Sequence, residues 1–205
     1  MSGAEARKFL LGGVTAEEKV DGANLGLSVG PDGRIRAQSR GNNLAPGRSH
    51  AQWNPIWPWL AAREQALAAA LGSDLILYGE WCHARHTISY DHLPDWFLAF
   101  DVFEPKTGVF WSSGRRNALA AQLGVATPHE VFRGRLALRD AARLIAASHF
   151  GTAEMEGVYF RRENSDRLLA RAKVVSAEFN RRIVEHWSRR AVVANRRSVE
   201  AAISP

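Results

Sequence analysis

Lys19 stands in the stretch Glu18-Lys19-Val20-Asp21-Gly22-Ala23-Asn24. Only four of the 27 basic residues are lysines (Lys8, Lys19, Lys106 and Lys173); the rest are arginines. An amine that has lost its proton attacks electrophiles, whereas a guanidinium stays charged and does not. In so arginine-biased a chain a lysine marks a place where that difference matters. Lys19 is therefore the candidate nucleophile. Asp21-Gly22, just after it, suits a tight turn. Glu80 lies in Leu75–Trp81, LILYGEW, where an anion beside Leu, Tyr and Trp calls for a partner.

The surrounding elements read as follows. Residues 24–29 and 34–40 form two strands around the turn Gly30-Pro31-Asp32-Gly33. An even register places Arg40 opposite Ala23, beside Lys19. Residues 41–58 are an irregular loop, 59–71 a helix, 75–81 a strand, 82–95 a histidine-bearing loop and 96–103 a strand. A helix capped by Ser112 or Ser113 runs to Leu123, and a second spans 138–150. Strands at 157–161 and 168–175 follow, with Glu163-Asn164-Ser165-Asp166 as their turn. Their expected register sets Glu156 opposite Lys173. From Ala177 on the chain reads as a basic helix, with Phe179, Ile183 and Trp187 on one face. Strand pairs separated by helices make this an α+β fold with mainly antiparallel sheets flanked by helices. With no clear linker, residues 1–205 read as one domain, 176–205 being a basic helical C-terminal extension.

The net charge of +6 is spread along the chain and favours a polyanionic partner, with an arginine-rich soluble surface as the alternative. The single cysteine, Cys82, excludes an intrachain disulfide and fits a reducing compartment. No apolar run is long enough for a signal peptide or a membrane helix, so a cytoplasmic location without a membrane partner is expected.

Six pieces occur in order: KVDGAN at 19–24, SRGN at 39–42, YGEW at 78–81, FLAFDVF at 97–103, EGVYFR at 156–161 and RAKVV at 171–175. Together they resemble the covalent nucleotidyltransferase superfamily of RNA and DNA ligases and mRNA capping enzymes. The likeness is greatest to the ATP-dependent RNA ligases. It implies an adenylation domain of the ATP-grasp-like ligase type. It also implies ATP as AMP donor, Mg²⁺ or Mn²⁺, and RNA ends as partners: AMP passes from a lysyl-AMP to a 5′-phosphate, and a 3′-hydroxyl then seals the strand.

The roles that the resemblance implies fall on particular residues. Lys19 is the nucleophile, with Lys173 and Arg40 as its catalytic companions. Glu18, Arg40, Glu80, Phe100, Arg171 and Lys173 contact the nucleotide. Phe100 stacks on the purine, Glu80 accepts from the ribose, and Lys173 meets the α-phosphate. Asn24 and Arg40 handle RNA ends. Glu156 binds the metal, and Asp21 either orients its loop or holds metal-bound water. Asp101 follows Phe100 as a structural residue.

Two departures stand out. Arg171 replaces the first of two lysines common in the last motif, and the short segment after Val175 has no room for an OB domain or a helical C-terminal domain. A separate protein partner is one way to supply that function; the arginines at 181, 182, 189, 190, 196 and 197 are another. The alternatives are a DNA ligase, a GTP-dependent capping guanylyltransferase and a non-catalytic nucleic-acid-binding module. Cys82, His83, His86 and His92 fit no standard zinc spacing. Trp53, Trp57 and Trp59 are expected to close a core, with base stacking as the alternative.

Overall fold

A computed structural model describes residues 2–182 and 191–198. Two antiparallel sheets carry the site. The first has the order β10-β9-β1-β8, built from β1 (Val14–Lys19), β8 (Glu130–Gly134), β9 (Gly157–Glu163) and β10 (Leu168–Val175). The second has the order β4-β3-β2-β5-β6-β7, from β2 (Ala23–Val29), β3 (Ile35–Ser39), β4 (Asn42–Asn43), β5 (Ile76–Trp81), β6 (Phe97–Glu104) and β7 (Val109–Phe110). The α+β architecture with antiparallel sheets is as the sequence pattern expected. Residues 20–22 carry the chain from β1 in one sheet to β2 in the other, so Lys19 ends one sheet where the two meet.

Each sheet buries one face on helices. α1 (Gly3–Leu11) starts with a capping box: Ser2 Oγ accepts from Glu5 N–H, and Glu5 accepts from Ser2 N–H at 2.6 Å. Its Phe9 and Leu10 pack with Val14, Ala16, Val158 and Phe160 under the first sheet. α2 (Ile56–Ala61), α3 (Glu64–Leu71) and α4 (Ser113–Gln122) cover the second. Trp53 and Trp59 are buried there and Trp57 packs against them, so all three close the core, as expected. The expected helix at 59–71 is instead two helices. Arg63 leaves helical geometry between them, lies over the Trp59 ring and reaches Asp95 at 3.3 Å.

Both hairpin registers differ from expectation. Gly33 adopts φ +77°, which makes the first turn a three-residue loop closed by Gly30 N–H to Arg34 O. Gly26 then faces Gln38, and pairing of the two strands ends there. Arg40 therefore does not face Ala23; it lies at the tip between β3 and β4. In the second hairpin Asn164 Oδ1 accepts from Asp166 and Arg167 N–H, moving the turn along the chain, and a bulge between Leu168 and Ala170 shifts it again. Lys173 faces Tyr159, not Glu156.

The expected helix at 138–150 is a 3₁₀ segment, Leu138–Leu144, followed by extended chain. Ser148 and His149 leave helical geometry where both bond Glu18. α5 (Ala177–Arg182) is capped by Ser176, whose hydroxyl accepts from Glu178 and Phe179 N–H. Ile183, Trp187, Arg189 and Arg190 lie outside the described residues. The extension is not helical throughout: residues 191–198 run extended along the loop after β5. No helix among the described residues is long and apolar enough to cross a membrane.

The sheets are held together by two arginines whose side chains are 0% exposed. Arg116 on α4 forms a two-pronged pair with Glu17 of β1, and its Nη1 also donates to Phe100 O at 2.7 Å. Arg161 on β9 donates to the same carbonyl at 3.1 Å, to Asp101 at 2.5 Å and to Glu163 at 3.2 Å. Burial opposes the charge on Arg161, but Asp101, Glu17 and Glu163 outweigh it and push its pKa up. Phe100 itself is a bulge: Tyr78 pairs with Asp101 and Gly79 with Ala99. The bulge frees the Phe100 carbonyl from the ladder and re-aims its ring. Removing one partner of such a buried pair strands the other charge. Arg116→Ala should lower unfolding free energy by about 3–5 kcal/mol, read as a lower urea midpoint at unchanged slope. A wild-type midpoint would contradict this account of the frame.

Candidate active site

A cavity of about 230 Å³ opens where the sheets meet. β1 supplies Glu18 and Lys19, β2 Asn24, the β3–β4 tip Arg40, β5 Glu80, β6 Phe100, and β10 Arg171 and Lys173. Eight residues singled out in the sequence thus line one space, though they come from six elements.

Lys19 Nζ lies 2.7 Å from Glu156 Oε1, on the residue preceding β9. Glu156 is buried, which pushes its carboxyl pKa up against the pull of Lys19. The expected facing of Glu156 and Lys173 is not found; the ion-pair partner of Glu156 is Lys19. Gly157 allows that placement: a Cβ there would come 2.1 Å from Val174 O. Gly22 has a similar reason, since a Cβ would meet Trp81 O at 2.7 Å and Glu80 Cγ at 2.9 Å. The Gly22 main chain, close against Glu80, pulls the Glu80 pKa down.

Burial pushes Glu80 up to about 7; Lys19 opposes the rise, while Glu156 and Asp21 add to it. Asn24 faces Glu80 across the β2–β5 ladder. Asp21 does not line the cavity. Its Oδ2 accepts from Thr87 N–H at 2.7 Å and Ile88 N–H at 2.8 Å, and its own N–H donates to Tyr90 Oη at 2.8 Å. The geometry thus gives Asp21 the loop-orienting one of its two expected roles. Glu18 borders the cavity, but both carboxylate oxygens are engaged, with Ser148 Oγ at 2.5 Å and His149 N–H at 2.9 Å.

Arg171 lies over the Phe110 ring and 3.4 Å from Asp101, which also pairs with Arg161. Asp101 is thus structural, as expected. Cys82 is buried, and no cluster of three or more His, Cys, Asp or Glu able to hold a metal occurs among the described residues.

Sequence reasoning missed Glu17, Arg116, Arg161 and Tyr159. Tyr159 lines the cavity opposite Lys173 across the β9–β10 ladder, and burial pushes its hydroxyl pKa up while Arg171 opposes the rise. A signal existed for Arg116: with Leu119, Ala120 and Leu123 it sits at helical spacing on the apolar face.

The RNA ligase family model matches residues 12–175. The chain belongs to the RNA ligase family. Its fold is similar to that of Naegleria gruberi RNA ligase. A mutant of that enzyme with ATP and Mn aligns at TM-score 0.65 and 16% identity, covering 87% of this chain and 54% of that one. The same enzyme with PPi aligns at 0.63 and 18%, covering 88% and 54%. A mutant with AMP and Mn aligns at 0.60 and 16%, covering 87% and 54%. This ligase-family chain thus spans about half the length of those structures. No curated protein matches it.

The raised Glu80 pKa has a consequence for stability. Between the ordinary carboxyl value of 4.5 and about 7, the folded chain keeps a proton that the unfolded chain releases. Raising pH through that window therefore erodes stability. Glu18, Asp21 and Glu156 are shifted in the same direction. Glu80→Gln should flatten the fall in unfolding free energy between about pH 5 and 7.5 in nucleotide-free protein. A wild-type slope in that variant, measured by urea unfolding across the range, would contradict the assignment.

Proposed function

We propose that this chain is an ATP-dependent RNA ligase whose Lys19 takes AMP from ATP and passes it to the 5′-phosphate of an RNA end. The observation that carries the reading is the convergence on one cavity of Lys19, a half-buried aromatic, a strongly shifted carboxyl and cations on the facing strand. The family supports ligation, and the N. gruberi structures with ATP and Mn, with AMP and Mn and with PPi support the choice of nucleotide and metal.

The chemistry follows from the walls of the cavity. Lys19 Nζ leaves Glu156, loses a proton and attacks the α-phosphorus of ATP. The new N–P bond forms as the bond to the pyrophosphate oxygen breaks, leaving lysyl-AMP. Lys173 and Arg171, from β10, offset the negative charge that grows on the phosphate oxygens. Phe100 and Glu80 line the same cavity; the Phe100 ring would stack on the purine and the Glu80 carboxylate would accept a ribose hydroxyl. A 5′-phosphate oxygen then attacks the same phosphorus and displaces Lys19. A 3′-hydroxyl finally joins the RNA phosphate and releases AMP. Arg40 and Asn24, which line the β2–β3 side of the cavity, would meet the RNA ends.

The residues fit a divalent cation. Glu156 and Glu80 are buried carboxyls beside Lys19, and Asp21 raises the proton affinity of both. Mg²⁺ commonly takes one or two carboxylates and completes its shell with phosphate and water. Glu156 would hold it, and the bound ion would neutralise phosphate charge.

Incubation with α-labelled ATP and Mg²⁺ or Mn²⁺ should label the protein covalently at Lys19. Lys19→Ala should carry no label. Phe100→Ala should still be labelled but need about tenfold more ATP for half-maximal rate, as expected from losing one base–aromatic stack. Label that persists in Lys19→Ala, or that forms with GTP and not ATP, would refute the reading. Nicked duplexes and single strands of RNA and DNA then report which ends are joined.

A further inference from the structure

Residues 191–198 lie beyond the stretch that matches the family model, yet they are bonded into the site's support. We infer that Asn195 is a positioning residue for the Lys19 loop, acting through residues 82–90. For its enzymatic part this rests on the reading proposed above.

Asn195 is 4% exposed and closes the base of that loop from both ends. Its Nδ2 donates to Cys82 O at 2.8 Å and to Ala84 O at 3.4 Å. Its Oδ1 accepts from Tyr90 N–H at 2.9 Å. Its own N–H donates to His83 O at 2.8 Å. Flanking main chain adds Arg85 N–H to Val193 O and Arg196 N–H to Tyr90 O. Arg197 lies over the Trp96 ring. An amide side chain suits this position because one end donates and the other accepts.

The loop so closed grips the nucleophile segment. Thr87 and Ile88 N–H hold the Asp21 carboxylate, and Tyr90 Oη accepts from Asp21 N–H. Asp21 is two residues from Lys19 and adjoins Gly22, which packs directly against Glu80 and Trp81. A continuous chain of buried hydrogen bonds therefore runs from Asn195 through Tyr90 to the turn that aims Lys19. Val20, Cys82, Ile88, Tyr90 and Leu93 pack as one apolar cluster around it, so movement of the loop is transmitted to the turn. Asn195 touches neither Lys19 nor the cavity lining.

Two readouts test this in the full chain. Hydrogen exchange in Asn195→Ala should accelerate about tenfold at the Asp21, Thr87 and Ile88 amides. In single turnover, lysyl-AMP formation should slow about tenfold while ATP affinity stays within about twofold, because misaim costs rate rather than binding. Tyr90→Phe removes only the hydroxyl that accepts from Asp21 and should do the same. The double variant should be no slower than the worse single one, since both cut the same chain of bonds. Unchanged exchange at those three amides in Asn195→Ala would overturn the inference. So would accelerated exchange with a wild-type labelling rate, or additive effects in the double variant. If Asn195→Ala does not fold, Tyr90→Phe decides by the same two readouts. If the wild-type chain takes no label from ATP, the ligase reading falls, and the exchange result alone decides the positioning role.

Discussion

The site depends on one buried arrangement: Arg116 and Arg161 gathered on the carbonyl of Phe100 and paired with Glu17, Asp101 and Glu163. Burying two guanidiniums is costly unless nearly every donor finds an acceptor. Here the acceptors come from β1, β6 and β9, and one of them exists only because a bulge frees it from the ladder. The positions of both sheets, the bulge and α4 are thus set together. Glu17 and Lys19 are two residues apart on β1 and share a face, so the contact that fixes Glu17 also fixes where Lys19 points. The bulge that supplies the carbonyl also turns Phe100 toward the cavity.

The electrostatics of the cavity follow from that geometry. Burial raises the proton affinity of Glu80, Glu156 and Asp21; Glu156 and Asp21 add to the rise at Glu80, Asp21 adds to that at Glu156, and Lys19 opposes all three. Lys19 rests in an ion pair with Glu156. In the proposed reading a nucleotide would bring phosphate for Lys173, Arg171 and Arg40, and a divalent ion would bring charge for Glu156.

Much of the cavity lining was legible in the sequence: the scarcity of lysine pointed to Lys19 and a carboxylate within an apolar strand to Glu80, while Lys173, Arg40 and Phe100 came from the family resemblance. The α+β pattern and the strands at 75–81, 96–103, 157–161 and 168–175 also emerged, since period-two alternation and turn residues are local signals. The frame was not legible. Glu17, Arg116 and Arg161 look like ordinary charged residues until distant strands bring them together. Registers were misread where Gly33 and Asn164 chose turn lengths that composition alone does not fix. The helix expected over 138–150 failed because Glu18, far away in sequence, recruits Ser148 and His149.

The most direct test of the central claim is a crystal structure of the chain soaked with ATP and Mn²⁺. The account predicts continuous density from Lys19 Nζ to the α-phosphorus, the purine against Phe100, Glu156 turned from Lys19 toward the metal, and the Arg116–Glu17 pair unmoved. A nucleotide bound elsewhere, with the Lys19–Glu156 pair intact, would contradict it.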